Sequence, residues 1–401
     1  MSLTRQGPGK VAFVGSDEQI YVADLATGRR RQLTLPKGVS ALQRWGGRLG
    51  EERSAWPCWS PDARWIACFQ ARRPDREAAV VSAIQVDGVE ERELAELDRF
   101  SPIYAQWSPD GQWLAVLSQG TDELELGVVP LDQRAGYRVL ERGVPLFFTW
   151  GPDSARLLVH VGDRAQQVAR LVVHDIRTFS TALLPQSPGA FCTPVYVGSR
   201  PVYVSDQLGA NWVSALGPER GRAEALATFE GLVALVPDPR GGGVIVGAAE
   251  RGEGSAYSGL WRVPLDGGAP LRLSELDCMA WFTASRGDRV LVASLDRTSA
   301  CLRWRVIDEG APIREVCPFW PSREQLFYLH FFEQFALSHS PVSADGRTLV
   351  YASSVGPDGD AASDEGAIGP RETHILALDL DDADAQPRSL GEGSFAVCSP
   401  C

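Results

Sequence analysis

Apolar residues fall along this chain in short runs cut by Gly, Pro, Asp and Ser, which is the signature of strands rather than helices. Lys10-Val11-Ala12-Phe13-Val14 reads as one strand and Gln19-Ile20-Tyr21-Val22-Ala23-Asp24-Leu25 as the next. Gly28 then precedes Arg31-Gln32-Leu33-Thr34, so a short turn joins a third strand to the second. Helical spacing is convincing in one place, 322–338. There Ser322 is placed to cap a helix, with Gln325 three residues on to complete a capping box. Leu326, Leu329 or His330, Glu333 and Leu337 share one face of that helix, and Phe327, Phe331 and Phe335 share a neighbouring one.

The strand pattern repeats. Trp59-Ser60-Pro61-Asp62, Trp107-Ser108-Pro109-Asp110-Gly111, Trp150-Gly151-Pro152-Asp153-Ser154 and Val342-Ser343-Ala344-Asp345-Gly346 each lead into an apolar strand. Trp59 and Trp107 are 48 residues apart, and Trp107 and Trp150 are 43 apart, a period that fits four strands per unit. The turn chemistry accounts for the residues: Pro presets φ, Asp caps its own backbone, and a Gly or small residue takes the position open to positive φ. Weaker copies start near 196, 236 and 283. Four antiparallel strands per repeat make one propeller blade, so the fold expected is an all-β closed propeller.

The two ends complete each other. The chain opens on the second strand of a repeat, and Ser394-Phe395-Ala396-Val397-Cys398-Ser399-Pro400 supplies a first strand. The C-terminal strand is therefore expected to join the N-terminal blade and close the ring, which removes open sheet edges. Starts at 59, 107, 150, 196, 236, 283, 342 and 398 give about eight four-stranded blades, or seven if one degenerate unit in 194–290 is misread. Residues 1–401 read as a single propeller domain, with 321–340 a helical insertion between the last two blades.

Trp-Ser-Pro-Asp-Gly, then Leu-Ala-Val, then Ile-Tyr-Val-Ala-Asp-Leu, then Gln-Leu-Thr resembles the repeat of TolB-like, WD40-like β-propellers. It is also similar to the propeller domains of prolyl oligopeptidase and dipeptidyl peptidase relatives. The resemblance covers almost the whole chain and implies the fold, which does not fix an activity. Peptidases of this kind carry a Gly-x-Ser-x-Gly nucleophile elbow, and that pentapeptide does not occur here. TolB-like proteins also carry an export signal and a further N-terminal domain, neither of which is recognisable in this sequence. Oligogalacturonate lyases, similar at the level of the repeat, use a His-rich metal site, and no residue set here matches those ligands.

Composition narrows the partners. A formal net charge of -12 repels phosphate backbones and anionic lipid, so neither nucleic acid nor a membrane is expected. Arg29-Arg30-Arg31 is too short a basic run to change that. The N-terminal residues lack the apolar stretch of a secretion signal, and the eight cysteines are scattered through strand-like segments. A cytoplasmic protein with cysteines as small buried hydrophobes is expected. Cys398-Ser399-Pro400-Cys401 has metal-ligand spacing but sits where the repeat has its turn, which makes it structural. The acidic segment 358–366 lacks the alternating oxygens of a calcium loop and reads as a solvated hairpin loop.

Two groups of residues carry candidate function. Phe327, Phe331 and Phe335 form an apolar stripe that either plugs the ring or offers a binding surface to a protein, peptide or small ligand. His330, Glu333 and His339 form an alternative metal site with an open position, which would suit a lyase or hydrolase. The preferred expectation is a non-enzymatic binding or scaffolding propeller with no cofactor. A metal-dependent enzyme and an accessory subunit gating a separate peptidase are the alternatives.

Overall fold

The computed structural model describes residues 9–35, 53–71, 78–98, 101–163, 168–189, 192–207, 209–217, 223–249, 257–284, 289–296, 301–354 and 372–401. The acidic segment 358–366 lies outside them, as does the turn at 285–288.

Among the described residues seven antiparallel sheets make up the fold, six of four strands and one of six. Each four-stranded sheet follows the repeat read from the sequence. In one of them Arg53–Trp59, Trp65–Ala71, Ala78–Gln85 and Glu91–Asp98 pair in chain order. First and second strands are nearly fully buried, whereas fourth strands such as Ser180–Leu183 are exposed along their length. That gradient places the first strands innermost, around the propeller axis, and the fourth strands on the rim.

The Trp-Ser-Pro-Asp turn works as its chemistry predicts. Ser60 Oγ donates to Asp62 Oδ1 at 2.6 Å and accepts from the Trp65 amide at 2.9 Å. Ser108 and Ser343 repeat this arrangement. The residue after Asp has positive φ in each copy: Ala63 at 54°, Gly111 at 68°, Ser154 at 56° and Gly346 at 74°. The indoles then stitch neighbouring sheets together. Trp107 Nε1 donates to the Cys58 carbonyl at 3.1 Å, Trp150 Nε1 to the Gln106 carbonyl at 3.0 Å, and Trp59 Nε1 to the Val397 carbonyl at 3.2 Å.

Closure is as expected. The C-terminal strand pairs with Lys10–Gly15, with Val11 opposite Cys398 and Phe13 opposite Ala396. Among the described residues the sheet count is seven, although the three units in 194–290 each form a sheet of their own. The repeats starting at 342 and 398 share the six-stranded sheet, because one continuous strand, Arg388–Cys398, serves both. Its first half pairs with Thr373–Asp379 and its second half with Lys10–Gly15. Gly391-Glu392-Gly393 makes the change of partner, and a Cβ on Gly393 would sit 2.3 Å from the Val14 carbonyl oxygen.

The helical segment lies between the strands Arg314–Phe319 and Thr348–Ser354. It is shorter and more broken than the 322–338 read from the sequence. Helix α1 spans Arg323–His330 and helix α2 spans Phe332–Phe335, with Phe331 between them at φ -107°, ψ 27°. Ser322 caps α1 by accepting from the Gln325 amide at 2.9 Å. The reciprocal half of the capping box does not form, because Gln325 Oε1 accepts instead from the Ala352 amide at 3.1 Å. The cap residue has been recruited to tie the helix to the next sheet.

Among the described residues no helix is long and apolar enough to cross a membrane. No disulfide joins the cysteines. Cys398 is buried and Cys401 exposed.

Candidate functional site

The helices occupy the centre of the ring and touch the innermost strands of several sheets. Tyr328 stacks on Phe282 at 5.3 Å, Phe332 packs on Trp281 at 4.3 Å, and Phe335 meets Tyr104 edge-on at 5.1 Å. Trp56 reaches the same cluster, with ring centroids 5.4 Å from Phe327, 5.2 Å from Phe335 and 4.9 Å from Phe395. Its backbone sits at φ 53°, an unusual conformation for a bulky residue, beside a register shift in its strand. The left-handed kink sends the indole inward to meet the plug.

Polar side chains lock the plug to strand backbones. Gln334 Oε1 accepts from the Phe148 amide at 2.9 Å, and Gln334 Nε2 donates to the Phe148 carbonyl at 2.8 Å. Glu333 Oε2 accepts from the Thr193 amide at 3.0 Å and its Oε1 accepts from Tyr257 Oη at 3.2 Å. Burial pushes the Glu333 carboxyl up to about 8, against the opposing effect of those two donors. Tyr328 Oη donates to the His339 carbonyl at 2.7 Å. His339 Nδ1 lies 2.7 Å from Ser338 Oγ, which in turn lies 2.8 Å from Tyr104 Oη. Burial pushes the His339 imidazole down to about 3, so it is neutral in the folded protein at ordinary pH.

These bonds separate the three residues of the alternative metal site. His330 is exposed and meets Phe331 edge-on at 4.9 Å. Glu333 is engaged with Thr193 and Tyr257, and His339 with Ser338. No group of three His, Cys, Asp or Glu able to hold a metal ion occurs among the described residues, these three included. The helical spacing that suggested the site is interrupted at Phe331, and the partners the sequence could not show are on distant strands.

The phenylalanine stripe is brought together. Phe327, Phe331 and Phe335 line a cleft of about 340 Å³ on one side of the plug, facing Ile103, Leu124 and Phe147. The three are not equivalent. Phe335 is 2% exposed and belongs to the core, Phe327 is half-buried, and Phe331 is 43% exposed at the mouth. Gln119, Gly120, Thr121, Asp122 and Glu123, from the turn between two strands of one sheet, form part of the lip. Asp122 is exposed, and Glu123 lies 3.8 Å from Arg142. The cleft is thus an apolar hollow with acid on its edge. The lip residues are invisible to sequence reading because the turn that brings them there carries no repeat signal.

A second cavity of about 340 Å³ opens on the other side of the plug, among the Ser-Pro-Asp turns. Tyr104 lines the first cavity and Gln106, two residues along the same strand, lines the second.

No protein family profile matches this sequence, and no curated protein does. Solved structures do resemble it. A prolyl endopeptidase aligns over 86% of this chain at 13% identity with a TM-score of 0.57, and this chain spans 50% of that enzyme's length. An oligogalacturonate lyase in complex with manganese aligns over 87% of this chain and 95% of its own at 12% identity, with a TM-score of 0.55. TolB from Acinetobacter baumannii aligns over 95% of this chain and 77% of its own at 12% identity, with a TM-score of 0.45. At such identities the likeness is one of fold, carried by the first two: the chain is a β-propeller similar in fold to those of the prolyl endopeptidase and the oligogalacturonate lyase.

Proposed function

We propose that this protein is a cytoplasmic binding platform whose ligand site is the cleft beside the plug, and that its ligand is a segment of a peptide or protein. The observation that carries this reading is Phe331, a large aromatic side chain left 43% exposed at the mouth of an apolar cleft that Phe327 and Phe335 extend inward. A cleft of about 340 Å³ is near the lower end of ligand-pocket sizes and suits one large apolar side chain better than an extended cofactor. Rigid aromatic walls with few polar groups are the usual surroundings of such an anchor.

Charge narrows the ligand. Asp122 and Glu123 stand on the lip, and the whole chain carries a net charge of -12. The complementary segment has an aromatic or aliphatic anchor next to Lys or Arg, because the acidic lip favours a cation and repels a carboxylate.

Saturation-transfer NMR with capped dipeptides tests this. Arg-Phe and Lys-Phe amides should show transfer to their aromatic protons that Asp122→Asn reduces, and Glu-Phe amide should show little. Equal transfer to all three, or none, would count against the reading.

A further inference from the structure

The other face of the ring carries a cleft of opposite character. It measures about 530 Å³ and lies between the closing sheet and the neighbouring sheet. Its ionisable lining is Lys10, Asp24, Arg29, Arg31, Arg64 and Asp87, four cations against two carboxylates in a chain of net charge -12. Arg64 follows the Ser60–Ala63 turn, and Asp24–Arg29 and Gln85–Asp87 belong to turns at the same ends of their sheets. The Phe331 cleft opens at the opposite ends, so the two sites are independent.

The carboxylates in this cleft are already committed. Asp24 Oδ1 accepts from the Ala26 amide at 3.0 Å, the Thr27 amide at 2.8 Å and Thr27 Oγ1 at 2.9 Å. The Thr27 amide bond is the main cause that holds the Asp24 carboxyl below its usual range. Asp87 Oδ1 accepts from the Val89 amide at 3.3 Å. Arg31 donates to the Asp87 backbone carbonyl rather than to its carboxylate, which fixes this guanidinium across the junction of the two sheets. The side chains of Lys10, Arg29 and Arg64 form no hydrogen bond and no ion pair among the described residues. Several arginines elsewhere are paired: Arg156 with Asp153 at 2.5 Å, Arg262 with Asp238 at 2.7 Å, Arg289 with Asp308 at 2.8 Å.

We infer that this cleft binds a small multivalent oxyanion, carrying phosphate groups or clustered carboxylates. Lys10 acts at longer range on the Asp24 carboxylate, whereas Arg29 and Arg64 have no carboxylate partner among the described residues; cations around one hollow repel one another, and an anion between them removes that cost. Guanidinium forks match the paired oxygens of phosphate and carboxylate. The volume admits a molecule the size of a di- or triphosphate. A long polyanion would meet the acidic remainder of the surface.

Titration calorimetry at low ionic strength tests the assignment, with tripolyphosphate and citrate as probes. At least one should bind the unaltered protein, and the double variant Arg29→Ala, Arg64→Ala should bind it at least about tenfold more weakly, the loss of roughly one charge-assisted contact. Arg134→Ala, an exposed position in the turn between the strands Leu124–Pro130 and Arg138–Gly143, should bind as the unaltered protein does. Binding of tripolyphosphate alone identifies a phosphate ligand, and binding of both probes a general oxyanion site. No binding, or equal weakening by Arg134→Ala, would overturn the inference. Because Arg29 and Arg64 are exposed, the double variant should keep its unfolding midpoint, and that midpoint is measured alongside.

Discussion

Ser399 Oγ accepts a hydrogen bond from the Lys10 amide at 3.0 Å, across 389 residues of sequence. It does for the two ends of the chain what Ser60 does for Trp65 within one repeat. Cys398 takes the place of the repeat's Trp, and Trp59 Nε1 donates to the carbonyl just before it, as Trp107 does to that of Cys58. The join is a repeat turn assembled from both termini. Ser399→Ala should lower stability by about 1 kcal/mol, the loss of one hydrogen bond. Removing 393–401 takes away the innermost strand of that unit and should lower the urea midpoint much further. A truncated chain that unfolds at the original midpoint would contradict closure by this strand.

Gln334 satisfies both backbone groups of Phe148, inside the ring, with one side-chain amide. Gln334→Ala leaves a buried amide and carbonyl without partners and should cost about 2–4 kcal/mol. Thermal unfolding read by near-ultraviolet circular dichroism measures it. A loss within about 0.5 kcal/mol would show that the plug is not pinned there.

Stability should depend on pH through two buried groups on the plug. Glu333, facing Tyr257, Thr193 and Cys192, rises from an ordinary 4.5 to about 8 on folding. The native state therefore holds a proton that the unfolded chain releases, and the stability present below pH 4.5 is lost as pH rises toward 8. His339 falls from 6.5 to about 3, so its contribution is present above pH 6.5 and lost as pH falls toward 3. Glu333→Gln should flatten the alkaline limb and leave the acid limb in place. Urea midpoints measured across the range decide it, and an unchanged alkaline limb would contradict the burial of a neutral carboxyl.

The Phe stripe should divide by position. Phe331→Ala at the mouth should cost less than about 1 kcal/mol, whereas Phe335→Ala in the core should cost about 3–5 kcal/mol. Equal costs would mean that Phe331 is not a surface residue in solution.

What the sequence disclosed follows from how local each signal is. The Trp-Ser-Pro-Asp turns are self-contained, so their strands, positive-φ positions and closing partner were all legible. The fusion of the last two repeats was not, because it depends on Gly393 lying against the Val14 backbone, 379 residues away in sequence. The helix was visible from Ser322 and the apolar spacing, but its break at Phe331 was not. Gln325, read as a capping residue, serves Ala352 instead, and Glu333, read as a metal ligand, serves Thr193 and Tyr257. Long-range partners decide the role of a polar side chain on a buried helix, and spacing along the chain does not contain them.

The central claim is that the cleft at Phe331 receives an apolar anchor from a cationic segment. Panning a phage-displayed peptide library against the intact protein, and against Phe331→Asp with its fold verified by unchanged near-ultraviolet circular dichroism, tests it most directly. The claim predicts enriched peptides that share an aromatic or aliphatic residue beside Lys or Arg, and loss of their capture by Phe331→Asp. Peptides captured equally by both proteins, or no enrichment at all, would contradict it.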